Sequence, residues 1–138
     1  GDAEIVIVHD AARPMVTPAI VQDCLDTLAA HDCDGAIAAA PVADTIKEVG
    51  DDGATVARTL ERSRLWAVQT PQVFRRAALE RALAEASDEE LGRATDDAWL
   101  VERAGGTVRI LGSDPGNMKI TTSEDLRVAE LLLGKLRT

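Results

Sequence analysis

The sequence predicts an α/β fold: a mostly parallel sheet flanked by helices and carrying a β-hairpin arm. Three observations point there. Ile5, Val6, Ile7 and Val8 form an apolar run that ends on His9 and Asp10, with Arg13 close behind; a stripe of helical spacing follows; and "GAIAAAPV" supplies a second short apolar run. A run without alternation marks a strand covered on both faces, as in parallel sheets between helices. A right-handed crossover would then set the two strands parallel within one sheet.

Each element has its own local warrant. In "VTPAIVQDCLDTLAAHDCDG", Thr17 can cap, Pro18 suits the first helical position, and Val21, Cys24, Leu25 and Leu28 repeat at helical spacing, so a helix is expected from about 18 to 31. "DTIKEVGDDGATVARTLER" breaks the rhythm, since two short β-prone runs flank the turn-forming GDDG as in a hairpin. It is too polar for a core, which leaves a solvated surface hairpin or an arm reaching a partner. "LWAVQTPQVF" reads as a strand over Leu65 to Gln69 closed by a Thr-Pro turn, and Arg75 to Ala86 as a helix with Leu79, Ala82, Leu83 and Ala86 on one stripe. "SDEELGRA" reads as a polar loop. "TDDAWLVERAGG" predicts a helix capped by Thr95, with Asp96 and Asp97 in the first turn and Gly105 as its stop. "TVRILGSD" is a further strand, and a closing helix begins at Ser123, with Glu124 and Asp125 in its first turn.

Composition narrows the function. The 138 residues read as one domain, 1–138, and the net charge of −9 argues against a duplex-binding face, which relies on broad basic surface. One Phe, two Trp and no Tyr leave little for base stacking. No apolar stretch approaches the roughly 18 residues of a membrane span, and no secretory signal is visible. Cys24 and Cys33 make no CxxC pair and read as reduced thiols of a cytoplasmic protein. Two histidines, His9 and His31, are too few for a His-rich metal cluster.

Small anions remain, because a few phosphates need only local cations. Three loops follow predicted strands: "HDAARP", "QTPQ" and "DPGNMKITTSEDL". If those strand ends share one edge, Asp10, Arg13, Thr70 and Lys119 face a common crevice. Arginine and lysine stabilise charge on phosphoryl oxygens, hydroxyls orient a substrate, and a carboxylate can hold Mg²⁺ or sugar hydroxyls. Taken singly, each residue has an ordinary alternative: a solvated lysine, a turn-forming threonine, a carboxylate that caps backbone amides.

The segments "VHDAARP", "APVADTIK", "LWAVQTPQVF", "TDDAWLVE" and "NMKIT", in this order and with these gaps, resemble the 2-C-methyl-D-erythritol 4-phosphate cytidylyltransferases along the whole 138 residues. The resemblance implies a Rossmann-like nucleotidyltransferase fold, a homodimer with exchanged arms (residues 44–62 here), and CMP transfer from CTP to a sugar-alcohol phosphate in non-mevalonate isoprenoid synthesis. It implies that Lys119 bridges the substrate phosphate and the CTP phosphates, that Asp10 and Arg13 contact the methylerythritol phosphate with Asp10 near Mg²⁺, and that Ala11 lies beside the nucleotide. Thr70 and Thr95 would hold the substrate, while Thr45 and Arg62 would act in the neighbouring subunit's site. Met118 and Glu61 are small departures.

One departure is large. The family begins with a strand and a Gly-rich loop around the CTP triphosphate, whereas no Gly-rich loop here joins a strand to a helix N-terminus. The expectation is a C-terminal portion, inactive alone, whose first strand has further sheet neighbours outside this sequence. A ribitol-phosphate cytidylyltransferase and a non-catalytic dimerisation or substrate-binding fragment are the alternatives.

Overall fold

The computed structural model describes residues 3–136. Its main sheet has four strands: β1 (Ile5–Val8), β2 (Gly35–Pro41), β5 (Trp66–Arg75) and β6 (Val108–Gly112), in the spatial order β1-β5-β2-β6. A separate hairpin pairs β3 (Lys47–Val49) with β4 (Val56–Thr59). The helices are α1 (Pro18–Ala30), α2 (Arg76–Glu85), α3 (Asp88–Arg93), α4 (Asp97–Arg103) and α5 (Ser123–Leu136).

The α/β class, the helices flanking the sheet and the hairpin agree with the sequence. Strand direction is subtler. β1, β2 and β6 point one way, but β5 runs antiparallel between β1 and β2, so only β2 and β6 are parallel neighbours. The β1–α1–β2 crossover therefore spans an intervening strand. β1 is paired on one side only and leaves Ile5 and Ile7 41% and 46% exposed, so it is not covered on both faces here.

Helices close both faces of the sheet. Thr17 accepts the Ile20 N–H and Pro18 sits at the first helical position, which starts α1 as expected. The buried stripe of α1, Cys24 and Leu28, packs with Cys33 on Ala36, Ala38 and Val73. On the opposite face Leu79 and Ala82 of α2 and Ala98, Leu100 and Val101 of α4 enclose Ile37 and Phe74. Gly35 lets that ring lie close, because a Cβ there would stand 2.7 Å from Phe74 Cδ1. Emptying the fully buried Phe74 position would cost about 3–5 kcal/mol. Burial first, and Asp23 second, push the Cys24 thiol up to about 11, which makes it a packing group at neutral pH.

Three local expectations are corrected. β5 does not end at Gln69; it runs through a cis Thr70–Pro71 bond, where the β2–β5 register shifts between Ile37 and Ala39. Pro71 has no N–H to offer the ladder, and it sits where the ladder is interrupted. "SDEELGR" is helical rather than a loop: the Ser87 side chain accepts the Glu90 N–H and the Glu90 carboxylate accepts the Ser87 N–H, a complete capping box. The cap of α4 is Asp96, whose Oδ1 accepts the Trp99 N–H at 2.8 Å, with Thr95 one position outside it. Gly105, at φ +80°, lies just beyond the end of α4 as foreseen.

Candidate functional site

A cleft of about 490 Å³ opens where the loops after β1 and β6 meet the register shift of β5. Its walls include Asp10, Arg13, Thr70, Thr95 and Lys119, five of the residues singled out in the sequence. They converge because the chain leaving β6 travels back along the carboxyl edge of the sheet. Ser113 N–H bonds Ala39 O at 2.8 Å, Gln69 Nε2 donates to Asp114 O at 3.3 Å, and Ile120 N–H reaches Ala12 O at 2.8 Å. That path sets Lys119 beside the turn after β1.

Asn117 anchors the crossing. Its side chain is buried, and Nδ2 donates to Gln69 Oε1 at 3.0 Å and to Thr70 O at 2.8 Å. Its own carbonyl accepts Arg13 Nη1 at 2.8 Å, so one residue joins all three segments of the site. A buried amide with both donors used fixes the loop more firmly than exposed contacts would.

The turn after β1 is closed by Arg13 N–H on Asp10 O at 3.0 Å. Asp10 Oδ2 then receives two cations, Arg13 Nε at 3.2 Å and Lys119 Nζ at 3.5 Å. The Arg13 side chain is only 11% exposed while that of Lys119 is 48% exposed, so the guanidinium is structural furniture of the cleft and the ammonium faces its opening. Two cations on one carboxylate leave surplus positive charge for an incoming anion.

Residues that the sequence reading assigned no function also line the cleft. Gln72 Nε2 donates to Asp96 Oδ2 at 3.0 Å and Gln72 Oε1 accepts the Ala98 N–H at 3.3 Å, which ties the first turn of α4 to β5. Asp97 lines the cleft as well; burial, with Asp96 second, raises its carboxyl above the ordinary aspartate value. The proximity of two adjacent acids was visible in the sequence, but dipole complementarity accounted for them without a cleft.

The remaining candidates lie elsewhere. Ala11 is an exposed turn residue outside the cleft lining. Thr45 and Arg62 belong to the hairpin and its base, where Arg62 Nη1 donates to Ala43 O and lines a shallow groove with Pro41, Val42, Leu65 and Trp66. Among the described residues, no group of three or more His, Cys, Asp or Glu side chains could hold a metal ion.

A cleft with clustered cations at the carboxyl edge of a helix-covered sheet is where open α/β proteins bind ligands. The family model "IspD: 2-C-methyl-D-erythritol 4-phosphate cytidylyltransferase" matches residues 1–135, and the chain belongs to that family. It is 54% identical over 130 residues to the 2-C-methyl-D-erythritol 4-phosphate cytidylyltransferase of Symbiobacterium thermophilum, covering 94% of this chain and 53% of that protein. The corresponding protein of Bacillus licheniformis is 48% identical over 134 residues, covering 96% of this chain and 55% of that one. Among solved structures, the Thermus thermophilus enzyme superposes with a TM-score of 0.77 at 36% identity, over 94% of this chain and 62% of that one. The Francisella tularensis enzyme gives 0.82 at 33% identity, over 92% and 58%. The fold is thus Rossmann-like, and the chain spans about half the length of the curated relatives it matches.

Proposed function

We propose that the chain forms the substrate-phosphate half of a cytidylyltransferase that joins CMP from CTP to 2-C-methyl-D-erythritol 4-phosphate, releasing pyrophosphate and giving CDP-methylerythritol. The observation that carries the reading is the convergence of Lys119 and Arg13 on Asp10 within one cleft at the strand ends. Family membership and the names of the relatives support the substrate pair.

In this reading the substrate phosphate enters beside Lys119, which displaces part of its interaction with Asp10 in favour of phosphoryl oxygens. Its oxygen attacks the α-phosphorus of CTP, the bond to the pyrophosphate breaks, and no covalent enzyme intermediate is required. Positioning and charge stabilisation carry the catalysis, since lysine offsets repulsion between two anions and stabilises charge that grows on the bridging oxygens. Arg13 and Asn117 hold the loop that presents Lys119. Thr70 and Thr95 border the substrate, and Ala11 lies toward the nucleotide.

Mg²⁺ is usually held by one or two carboxylates together with substrate phosphates. Asp10 fits that pattern: Oδ2 takes Arg13 and Lys119, and Oδ1 accepts no hydrogen bond among the described residues. Asp10 would help hold the ion, which would supply further charge neutralisation when CTP is bound.

The hairpin supports a homodimer. β3 and β4 bury none of their residues, and Val49 and Val56, directly paired, stand 46% and 52% exposed on one face. Thr45 and Arg62 would then act in the neighbouring subunit's cleft. No described helix is long and apolar enough to cross a membrane.

Side-by-side turnover assays with methylerythritol phosphate and ribitol phosphate, in a full-length context, test the reading. A clear preference for methylerythritol phosphate is expected. Preference for ribitol phosphate would move the assignment to that substrate, and no turnover of either would favour a binding or dimerisation fragment.

A further inference from the structure

Three carboxylates line the cleft, and they differ in what they already hold. Asp10 Oδ2 is ion-paired with Arg13 and Lys119. Both oxygens of Asp96 are occupied, Oδ1 by Trp99 N–H at 2.8 Å and Oδ2 by Gln72 Nε2 at 3.0 Å. Asp97 receives no hydrogen bond and no cation among the described residues, although its side chain is only partly exposed. A half-buried carboxylate without donors is under-solvated, and a hydrogen-bond donor arriving from the cleft would relieve it.

Its backbone is not free to swing away. Asp96 caps α4 just before it, and Gln72 grips Asp96 Oδ2 and the Ala98 N–H on either side. The backbone that presents the carboxylate is therefore fixed before any ligand arrives. Lys119 and Arg13 supply the cationic wall of the same cleft, so a ligand with an anionic end and a hydroxyl-bearing end would satisfy both.

We infer that Asp97 is a specificity-determining residue that accepts a hydrogen bond from a carbinol hydroxyl of a polyol monophosphate while its phosphate rests against Lys119. The inference deepens the function proposed above and rests on it. A carboxylate that reads a hydroxyl rejects the analogue lacking it, because burying the unpaired charge then goes uncompensated. The raised carboxyl agrees with this arrangement, since a neighbouring acid and burial both disfavour the bare anion.

The test is a titration of the uniformly ¹⁵N-labelled chain, followed by amide shifts, with methylerythritol phosphate and with n-butyl phosphate as separate probes, each in EDTA and again with Mg²⁺. In EDTA the polyol phosphate is expected to bind about 10-fold tighter than butyl phosphate, equivalent to about 1.4 kcal/mol. Asp97→Ala should bring that ratio close to one with butyl phosphate affinity unchanged, and Asp97→Asn, which keeps an acceptor but not the charge, should fall between. Amide spectra of both variants that overlay the parent outside the cleft confirm an intact fold. Equal binding of the two probes by the parent chain, or a ratio that survives Asp97→Ala, overturns the role of Asp97 alone. An effect of Asp97→Ala that appears only with Mg²⁺ makes the residue a metal ligand and also overturns it. Failure of both probes to perturb Lys119 and Arg13 removes the phosphate site itself, and with it the proposed function.

Discussion

The Thr70 hydroxyl lies 2.9 Å from His9 Nδ1 and accepts the Asp10 N–H, also at 2.9 Å. His9 Nε2 meanwhile sits 3.1 Å from Arg13 O. One tautomer satisfies all three contacts: Nε2–H donates to Arg13 O, Nδ1 accepts the Thr70 O–H, and Thr70 Oγ1 accepts from Asp10. The histidine that follows β1 thus locks the turn carrying Asp10 and Arg13 onto the middle of β5.

Thr70→Val is expected to destabilise the chain by about 1–3 kcal/mol, because the part-buried Asp10 N–H loses its acceptor. Thr70→Ser should stay near the parent. Urea denaturation compares the three, and a valine variant as stable as the parent would show that the relay contributes nothing.

Asn117 offers a sharper contrast. Asn117→Asp puts a carboxylate opposite Gln69 Oε1 and Thr70 O, both acceptors, in a site with almost no solvent. It should cost about 3 kcal/mol or more, while Asn117→Ala, which only deletes the bonds, should cost less. Thermal melts decide the order; equal losses would mean that the amide is not acting as a donor.

Much of this was legible in the sequence, and the misses have physical reasons. Helix α1 and the GDDG hairpin follow from capping, spacing and turn chemistry, all local. The Ser87–Glu90 capping box was also local, and the spacing Ser-x-x-Glu could have revealed α3. The antiparallel course of β5 could not be read locally, since it depends on which strands pair across the sheet. The roles of Gln72 and Asn117 rest on bonds to residues 24 to 104 positions away, for which a single sequence offers no spacing rule. The meeting of Asp10, Arg13 and Lys119 was nevertheless foreseen, because the strands before them end at one edge, whereas Thr70 reaches the cleft from the interior of antiparallel β5 and not from a strand end.

Asp97 should betray its function through pH. Its raised carboxyl means that the folded chain holds a proton more tightly than the unfolded chain, so this group's contribution to stability is present below the ordinary aspartate range and is lost as pH rises through the raised value. Asp97→Asn is expected to melt higher than the parent at pH 7, with the difference shrinking toward pH 3. A lower melting temperature at pH 7 would show that the charged carboxylate stabilises the fold.

The arm can be tested by complementation. In a full-length context, Arg62→Ala subunits mixed with Lys119→Ala subunits should regain part of the activity through the one site of each heterodimer that combines Lys119 from one subunit with Arg62 from the other. Arg62 lies outside the cleft that Lys119 lines in the same chain, so the proposed role of Arg62 requires a second subunit. A mixture no more active than its components would rule out an exchanged arm.

Lys119 carries the central claim, that two anions meet beside its ammonium. Removing one preorganised donor of this kind typically costs about 3–4 kcal/mol, or roughly 100- to 1,000-fold in turnover. The decisive measurement is pyrophosphate release from CTP and methylerythritol phosphate by Lys119→Ala in a full-length context, with melting temperature followed in parallel. Turnover is expected to fall by about that factor while the melting temperature barely changes, and Lys119→Arg should recover only part of it, since a planar guanidinium does not replace a compact ammonium. Near-normal turnover by Lys119→Ala would contradict the account, leaving the residue a solvated loop charge paired with Asp10.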